Sequence, residues 1–291
     1  MASLKEIKGR INSINGTLKI TSAMKMVASA KLHKAQAAIE GMLPYERRLS
    51  HILGLLLAAG VPVQSPLVRR PEVRRVAVVV FSSNSSLCGG FNTNLIRRLE
   101  PLLAGYAARY GHDNVIVYPV GRKVAEAVRK MRYVPAGDYQ HLSGKPGYEE
   151  SAALAAGLMD RFTRGEVQRV ELLYHHFKST SAQVLTQETY LPVGLDGLTA
   201  GADRQAPAAD CIVEPSAPEV LQALLPKVLC VKLYTVALDS SASEHAARTV
   251  AMQVATDNAN DLIQELTLLY NKSRQQAITN ELLDIVGGTL A

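Results

Sequence analysis

From Leu221 to Ile285 the chain carries no glycine, and its single proline there, Pro226, falls in the first turns. Apolar residues Leu262, Leu266, Leu269, Ile278, Leu282 and Ile285 follow one helical stripe. Pro215 and Pro218 mark its start, and Gly287–Gly288 are predicted to stop it. At about 1.5 Å per residue an unbroken helix here runs roughly 100 Å. No compact domain drawn from 291 residues encloses such an element, so it must project and find a partner.

The other end of the chain supplies one. Leu4, Ile7, Ile11, Ile14, Leu18 and Thr21 are spaced by three and four, and Ala28, Leu32, Ala35, Ile39 and Met42 resume the register. Leu49, Leu53 and Leu56 extend it, giving a heptad seam. Ser3 with Glu6 forms a capping box at the start, and Pro44 is predicted to kink the helix. Two such helices at the two termini are most economically an antiparallel pair. Ser, Thr and Ala at several seam positions make the contact thin, so the pair is expected to need an outer partner.

Charge is concentrated in the same place. Residues 1–48 hold nine basic side chains and three acids, which accounts for the whole formal net charge of +6. A basic arm of this kind meets something acidic: nucleic acid, anionic lipid or an acidic protein surface. A solvated polar face explains the charge equally well. Only Tyr45, Phe81 and Phe91 are aromatic before residue 100, which leaves base stacking by the arm unsupported. The basic amphipathic start has the composition of a mitochondrial presequence, but its pattern runs on past residue 30 and is read as mature structure. No uninterrupted apolar run reaches membrane-spanning length; Ile52–Val63 is too short.

The middle alternates strand and helix. Arg75–Phe81 is a β-branched run, as for a strand buried on both faces, and Asn114–Val120 is a second strand. Helices are expected over Asn92–Tyr110, Lys123–Arg132 and Ser151–Thr163, then strands over Val170–Phe177 and Gln183–Leu191, the last antiparallel. That order predicts an α/β fold with a mainly parallel sheet. The expected layout is an N-terminal coiled-coil helix over 1–60, a central α/β domain over 70–193, a linker over 194–215 and a C-terminal coiled-coil helix over 216–291.

Little chemistry is on offer. The turn Ser82–Gly90, with its hydroxyls and glycines between strand and helix, is the best phosphate candidate, yet neither phosphate-loop glycine pattern is present. Cys88, Cys211 and Cys230 are an odd set without C-x-x-C, so neither a disulfide framework nor a zinc site is expected, and a reducing compartment fits. Cys88 reads as a small buried thiol rather than a nucleophile. His175 and His176, adjacent on a strand, point to opposite faces and cannot share a metal. Ser22-x-x-Lys25 copies an acyl-transferase nucleophile pair without its K-T-G companion. No catalytic, cofactor or metal site is expected.

Three blocks carry a resemblance. Lys19-Ile20-Thr21-Ser22-Ala23-Met24-Lys25-Met26-Val27-Ala28 with Lys31-Leu32 is similar to the N-terminal signature of the γ subunit of F-type (F1Fo) ATP synthases. Ser243-Glu244-His245-Ala246-Ala247-Arg248, continuing through Ala255–Ala259 and Tyr270–Leu282, resembles the C-terminal signature. Leu87-Cys88-Gly89-Gly90-Phe91-Asn92 resembles the family's turn in its globular domain, although Ser83-Asn84-Ser85-Ser86 replaces a charged, glycine-bearing sequence. The region 194–215 lacks the cysteine pair of chloroplast relatives, so their thiol regulation is not expected.

The resemblance implies a long antiparallel coiled coil of the two terminal helices plus a central Rossmann-like α/β domain. It implies a non-catalytic rotor shaft that couples ion transport through the membrane sector to ATP synthesis or hydrolysis. The implied partners are the α3β3 hexamer, the ε subunit and the membrane c-ring, with no nucleic acid, no cofactor and no direct membrane insertion. The implied place is peripheral, on the cytoplasmic face of the bacterial inner membrane. Met24 and Lys25 match positions passing close to an acidic lever of the β subunits, and Arg274, Gln275 and Thr279 match a group engaging a β-subunit loop. A nucleic-acid binder using its basic helix and a phosphate-handling α/β enzyme with helical arms are the competing readings.

Overall fold

A computed structural model describes residues 3–58, 65–194 and 213–289. Most of the expected linker, with Cys211, lies outside these residues. The chain forms two compact units, one of residues 30–247 and one of residues 1–29 with 248–291. The division cuts both terminal helices, α1 (Leu4–Ala58) and α6 (Ala217–Thr289).

The larger unit holds β1 (Val76–Phe81), α2 (Phe91–Tyr110), β2 (Val115–Val120), α3 (Arg122–Lys130) and α4 (Gln140–Gly144). It continues with α5 (Tyr148–Thr163), β3 (Arg169–Phe177) and β4 (Gln183–Leu191). Strand order is β2-β1-β3-β4, parallel except for β4, which runs antiparallel to β3. All six β1 residues are buried, and their alternation divides two cores. Val76, Val78 and Val80 meet Leu95, Leu99 and Val124 of α2 and α3. Ala77, Val79 and Phe81 face the other core, with Leu154 and Leu158 of α5 and Leu229, Leu233 and Val236 of α6. The β-branched run is thus explained by burial on both faces. Pro119, which cannot donate to a ladder, sits on the edge strand β2.

Within this unit Leu32 and Ala35 of α1 pack on Ala242 and Ala246 of α6. Small residues let the two backbones approach, which the sequence shows as a thin seam. The apolar character of α6 is high enough that an eighteen-residue window, with mean hydropathy 1.5, passes for a membrane span by length and composition. Leu221, Leu225, Leu229 and Leu233 of that helix are core residues against the sheet, and a core helix gives the same reading as a membrane span.

In the smaller unit Ser3 Oγ accepts a hydrogen bond from Glu6 N–H at 3.2 Å, as the capping box predicts. Glu6 completes only half of the box, because its carboxylate pairs with Arg10 one turn on. Thr21 and Thr256 meet through their hydroxyls at 3.0 Å, and Ile7, Ala28, Met252 and Ala259 are buried. Among the described residues the expected stripe is only partly covered, with Leu266 half-buried. Leu262, Leu269, Ile278, Leu282 and Ile285 are all substantially exposed. In an antiparallel pair with Thr21 level with Thr256, Leu4 is level with about residue 273, so the last four turns of α6 outrun α1. Nor do Gly287–Gly288 stop the helix, which continues to Thr289. Glycine lowers helix stability by about 1 kcal/mol without forbidding the conformation. Helix α1 is continuous from Leu4 to Ala58 with Pro44 inside it.

Candidate functional site

Open parallel sheets bind ligands at the carboxyl ends of the strands where connections diverge to either side. Here that place lies between β1 and β3, and helix α6 fills it. Ser243 Oγ donates to the His175 carbonyl at 2.9 Å, and Asp239 Oδ1 accepts from Phe177 N–H at 2.7 Å. Asp239 Oδ2 lies 2.6 Å from His176 Nδ1. Burial raises the Asp239 carboxyl, and the His176 and Phe177 hydrogen bonds oppose that rise. What remains is a cavity of about 10 Å³ among Phe81, Ser82, Ser143, Ser240 and Glu244, room for one water at most. A nucleotide does not fit.

The Ser82–Gly90 turn spends much of its polar capacity on the neighbouring helix and on itself. It takes up the first amides of α3. Arg122 N–H donates to Asn84 Oδ1, Lys123 N–H to the Ser83 carbonyl and Val124 N–H to Ser82 Oγ. Ser83 Oγ donates to the Ser85 carbonyl at 2.6 Å, and Asn92 Nδ2 donates to Cys88 Sγ at 3.1 Å. Cys88 is buried and Cys230 half-buried, with burial pushing the Cys230 thiol up. Among the described residues no cluster of His, Cys, Asp or Glu has the geometry to hold a metal.

His175 and His176 diverge as their strand positions require. His176 is exposed, whereas His175 is buried with its ring stacked 4.3 Å from that of Phe91 and its Nδ1 without a hydrogen-bond partner. Burial pulls the imidazolium of His175 down from 6.5 to about 4. The unfolded chain therefore takes up this proton first. Its contribution is intact above about pH 6.5 and is lost as pH falls toward 4, a loss of about 2 kcal/mol at pH 5. His175→Leu is expected to flatten the acid limb of stability over that window, measured by urea denaturation at pH 7 and pH 5. An unchanged difference between the two pH values would contradict it.

The residues proposed from sequence for partner contact all lie in the smaller unit, in two separate bands. Met24 and Lys25 are half-buried on α1, beside Met26 and Val27, which are 73% and 57% exposed. Arg274, Gln275 and Thr279 are exposed on α6, in the stretch that outruns α1. From the Thr21–Thr256 level the bands are roughly 30 Å apart along the pair, so they do not form one site. The Thr279 hydroxyl already donates to the Gln275 carbonyl at 2.9 Å, leaving only its acceptor face for a partner. Ser22 is exposed on the surface of α1. What sequence reasoning missed is the plug: Ser240, Ser241, Ser243, Glu244 and His245 are all buried. The signal was a polar run interrupting an otherwise apolar helix.

A family model described as ATP synthase matches residues 3–291. The chain is 64% identical to the ATP synthase gamma chain of Phocaeicola vulgatus and 58% identical to that of Bacteroides fragilis, each over 291 residues and the full length of both chains. Among solved structures, a chain of the Euglena gracilis mitochondrial ATP synthase (OSCP/F1/c-ring, rotational state 3) superposes with a TM-score of 0.62 at 18% identity, covering 99% of this chain and 94% of that one. One from the central stalk and c-ring of the Tetrahymena thermophila mitochondrial ATP synthase gives 0.55 at 21%, covering 81% and 99%. At these identities the likeness concerns the fold.

Proposed function

The chain belongs to the family of ATP synthase gamma chains, and from that premise we propose that it is the central rotor shaft of an F-type ATP synthase, itself non-catalytic. The observation that carries the non-catalytic part is the filled crevice: the place where such a sheet takes a nucleotide holds Asp239–Glu244 of its own C-terminal helix. The smaller unit enters the α3β3 hexamer. The larger unit stands on the ε subunit and the c-ring, at the cytoplasmic face of the bacterial inner membrane. Ion flow turns the ring and the shaft, and the shaft's changing face favours a different conformation in each β subunit in turn. Nucleotide binding pushes back on the same equilibrium, which makes the coupling reciprocal. The free chain is expected to bind no ATP at micromolar concentrations, checked by titration calorimetry. Tight binding would favour the phosphate-enzyme reading instead.

The basic band around Met24 and Lys25 is the proposed contact with an acidic lever of the β subunits. Met24 and Lys25 are half-buried, and Met26 and Val27 beside them are exposed, so the described residues of the smaller unit leave part of this band open. Met24→Lys adds a cation where the lever passes. A partly shielded ion pair of about 1–3 kcal/mol, made in one rotary state, holds that state too long. The expected result is retained ATP hydrolysis with fewer ions pumped per ATP. An unchanged pumping ratio in membrane vesicles would count against the assignment.

A further inference from the structure

Strand β3 outlasts its neighbour β1. The two pair in parallel from Val76 and Arg169 as far as Val80 and Leu173, whereas β3 continues to Phe177. Past Leu173, among the described residues, no strand meets the backbone groups on the β1 side of β3. Groups two residues apart on a strand point the same way, and His175 and Phe177 are such a pair. Helix α6 takes both. The Ser243 hydroxyl donates to the His175 carbonyl at 2.9 Å, and Asp239 Oδ1 accepts from Phe177 N–H at 2.7 Å. The second oxygen of Asp239 lies 2.6 Å from His176 Nδ1, so both oxygens of the carboxylate are held.

Asp239 and Ser243 are four residues apart and share one face of α6. Their neighbours three residues on are Ala242 and Ala246, both buried, which meet Leu32 and Ala35 of α1. Alanines leave shallow ridges, so steric packing at this level resists a roll of the helix about its axis only weakly. Directional bonds to a strand backbone resist it well: a roll of about 100°, one residue position, breaks both. Lower on the helix the hold is of another kind, with Leu225, Leu229 and Leu233 sunk in the core. The polar stretch lies just before residue 247, where the larger unit ends, while α6 itself continues to Thr289.

We propose that Asp239 and Ser243 are positioning residues that key α6 to β3 and fix the angle at which the shaft leaves the larger unit. The inference rests on the rotor reading, in which torque passes along α6 between the larger unit and the part of the helix inside the hexamer. Slack at the exit would let the shaft twist before it turned the hexamer contacts. The same two bonds that fill the crevice remove that slack.

The test reads an angle. The hexamer is fixed to a surface, the rotor is stalled without nucleotide, and a bead is attached through Val134→Cys, at an 87% exposed position of the larger unit, with Cys211 and Cys230 replaced by serine. The thermal spread of the bead angle reports the stiffness of everything between hexamer and bead. Asp239→Ala and Ser243→Ala should each widen it, and together raise the angular variance at least about twofold. Asp239→Asn keeps an oxygen for Phe177 N–H and Ser243→Thr keeps the hydroxyl, so both should restore the original spread. Val128→Ala, in the α3 core on the other face of the sheet, weakens the larger unit without touching α6 and should leave the spread unchanged. Subunit stoichiometry is measured on the same complexes. An unchanged spread in the double alanine variant, or equal widening by Val128→Ala, overturns this inference alone. So does widening by the two conservative variants as large as that by alanine, or loss of assembly in both single alanine variants. Original complexes that hydrolyse ATP without turning the bead overturn the rotor reading and this inference with it.

Discussion

Arg274 and Gln275 replaced together by leucine are expected to leave an assembled complex that makes and hydrolyses ATP at least about tenfold more slowly, since one charge-assisted hydrogen bond is worth about 1.5–3 kcal/mol and about 1.4 kcal/mol is a factor of ten. Both side chains lie on the stretch of α6 that outruns α1 and are exposed. Their loss therefore removes nothing from the packing of the smaller unit. A rotor contact has to break on every turn, which directional polar bonds permit because water replaces them, whereas a large apolar patch would hold one angle. Adjacent residues on a helix diverge by about 100°, so the contacts proposed for Arg274 and Gln275 are with different groups. The measurement is turnover beside subunit stoichiometry in the purified double mutant. Full turnover in a complete complex sinks the contact, and failure to assemble assigns these residues to assembly instead.

Gly121→Ala should be the most damaging single methyl in the larger unit. Gly121 has φ 109° and ψ 147°, a conformation open to glycine, and a Cβ there would collide with the backbone carbonyl of Ser82. Ser82 cannot retreat. Its N–H donates to the Val120 carbonyl at 2.8 Å and its Oγ accepts from Val124 N–H at 3.0 Å. Strain and collision together are expected to cost roughly 3 kcal/mol or more, a large share of a domain's total stability. Gly165 is the matched control: its φ is 74° and a Cβ would meet nothing within 4 Å. Gly165→Ala should cost only about 1 kcal/mol from backbone strain. Urea denaturation followed by circular dichroism separates the two, and equal midpoint shifts would contradict the close-approach argument.

Val76–Phe81 shows why much of the central domain was legible in the sequence. A β-branched run with no polar alternation has one stable use, a strand covered on both sides, and the two cores meet it there. The helical stripe of α6 was legible as a period but not as a contact. Leu262, Ile278 and Leu282 show that one face is apolar without saying what covers it, and among the described residues they stay substantially exposed. Gly287–Gly288 misled because a glycine's penalty of about 1 kcal/mol is one that a long helix absorbs. The plugged crevice was hidden for another reason. Asp239 and Ser243 reach Phe177 N–H and the His175 carbonyl across more than sixty residues of sequence, and no periodicity records that pairing. Met24, Lys25, Arg274, Gln275 and Thr279 came from resemblance alone, since an exposed polar helix face carries no local mark of what it touches.

The claim that this chain transmits torque is tested most directly by watching it turn. Val134, on the loop after α3, is 87% exposed, so Val134→Cys offers a handle on the larger unit once Cys211 and Cys230 are replaced by serine; Cys88 is buried. With the hexamer fixed to a surface and a filament on that handle, ATP hydrolysis should drive one-way rotation in steps of about 120°, set by three equivalent catalytic subunits. Sustained hydrolysis by the same complexes with a filament that does not turn would contradict the account.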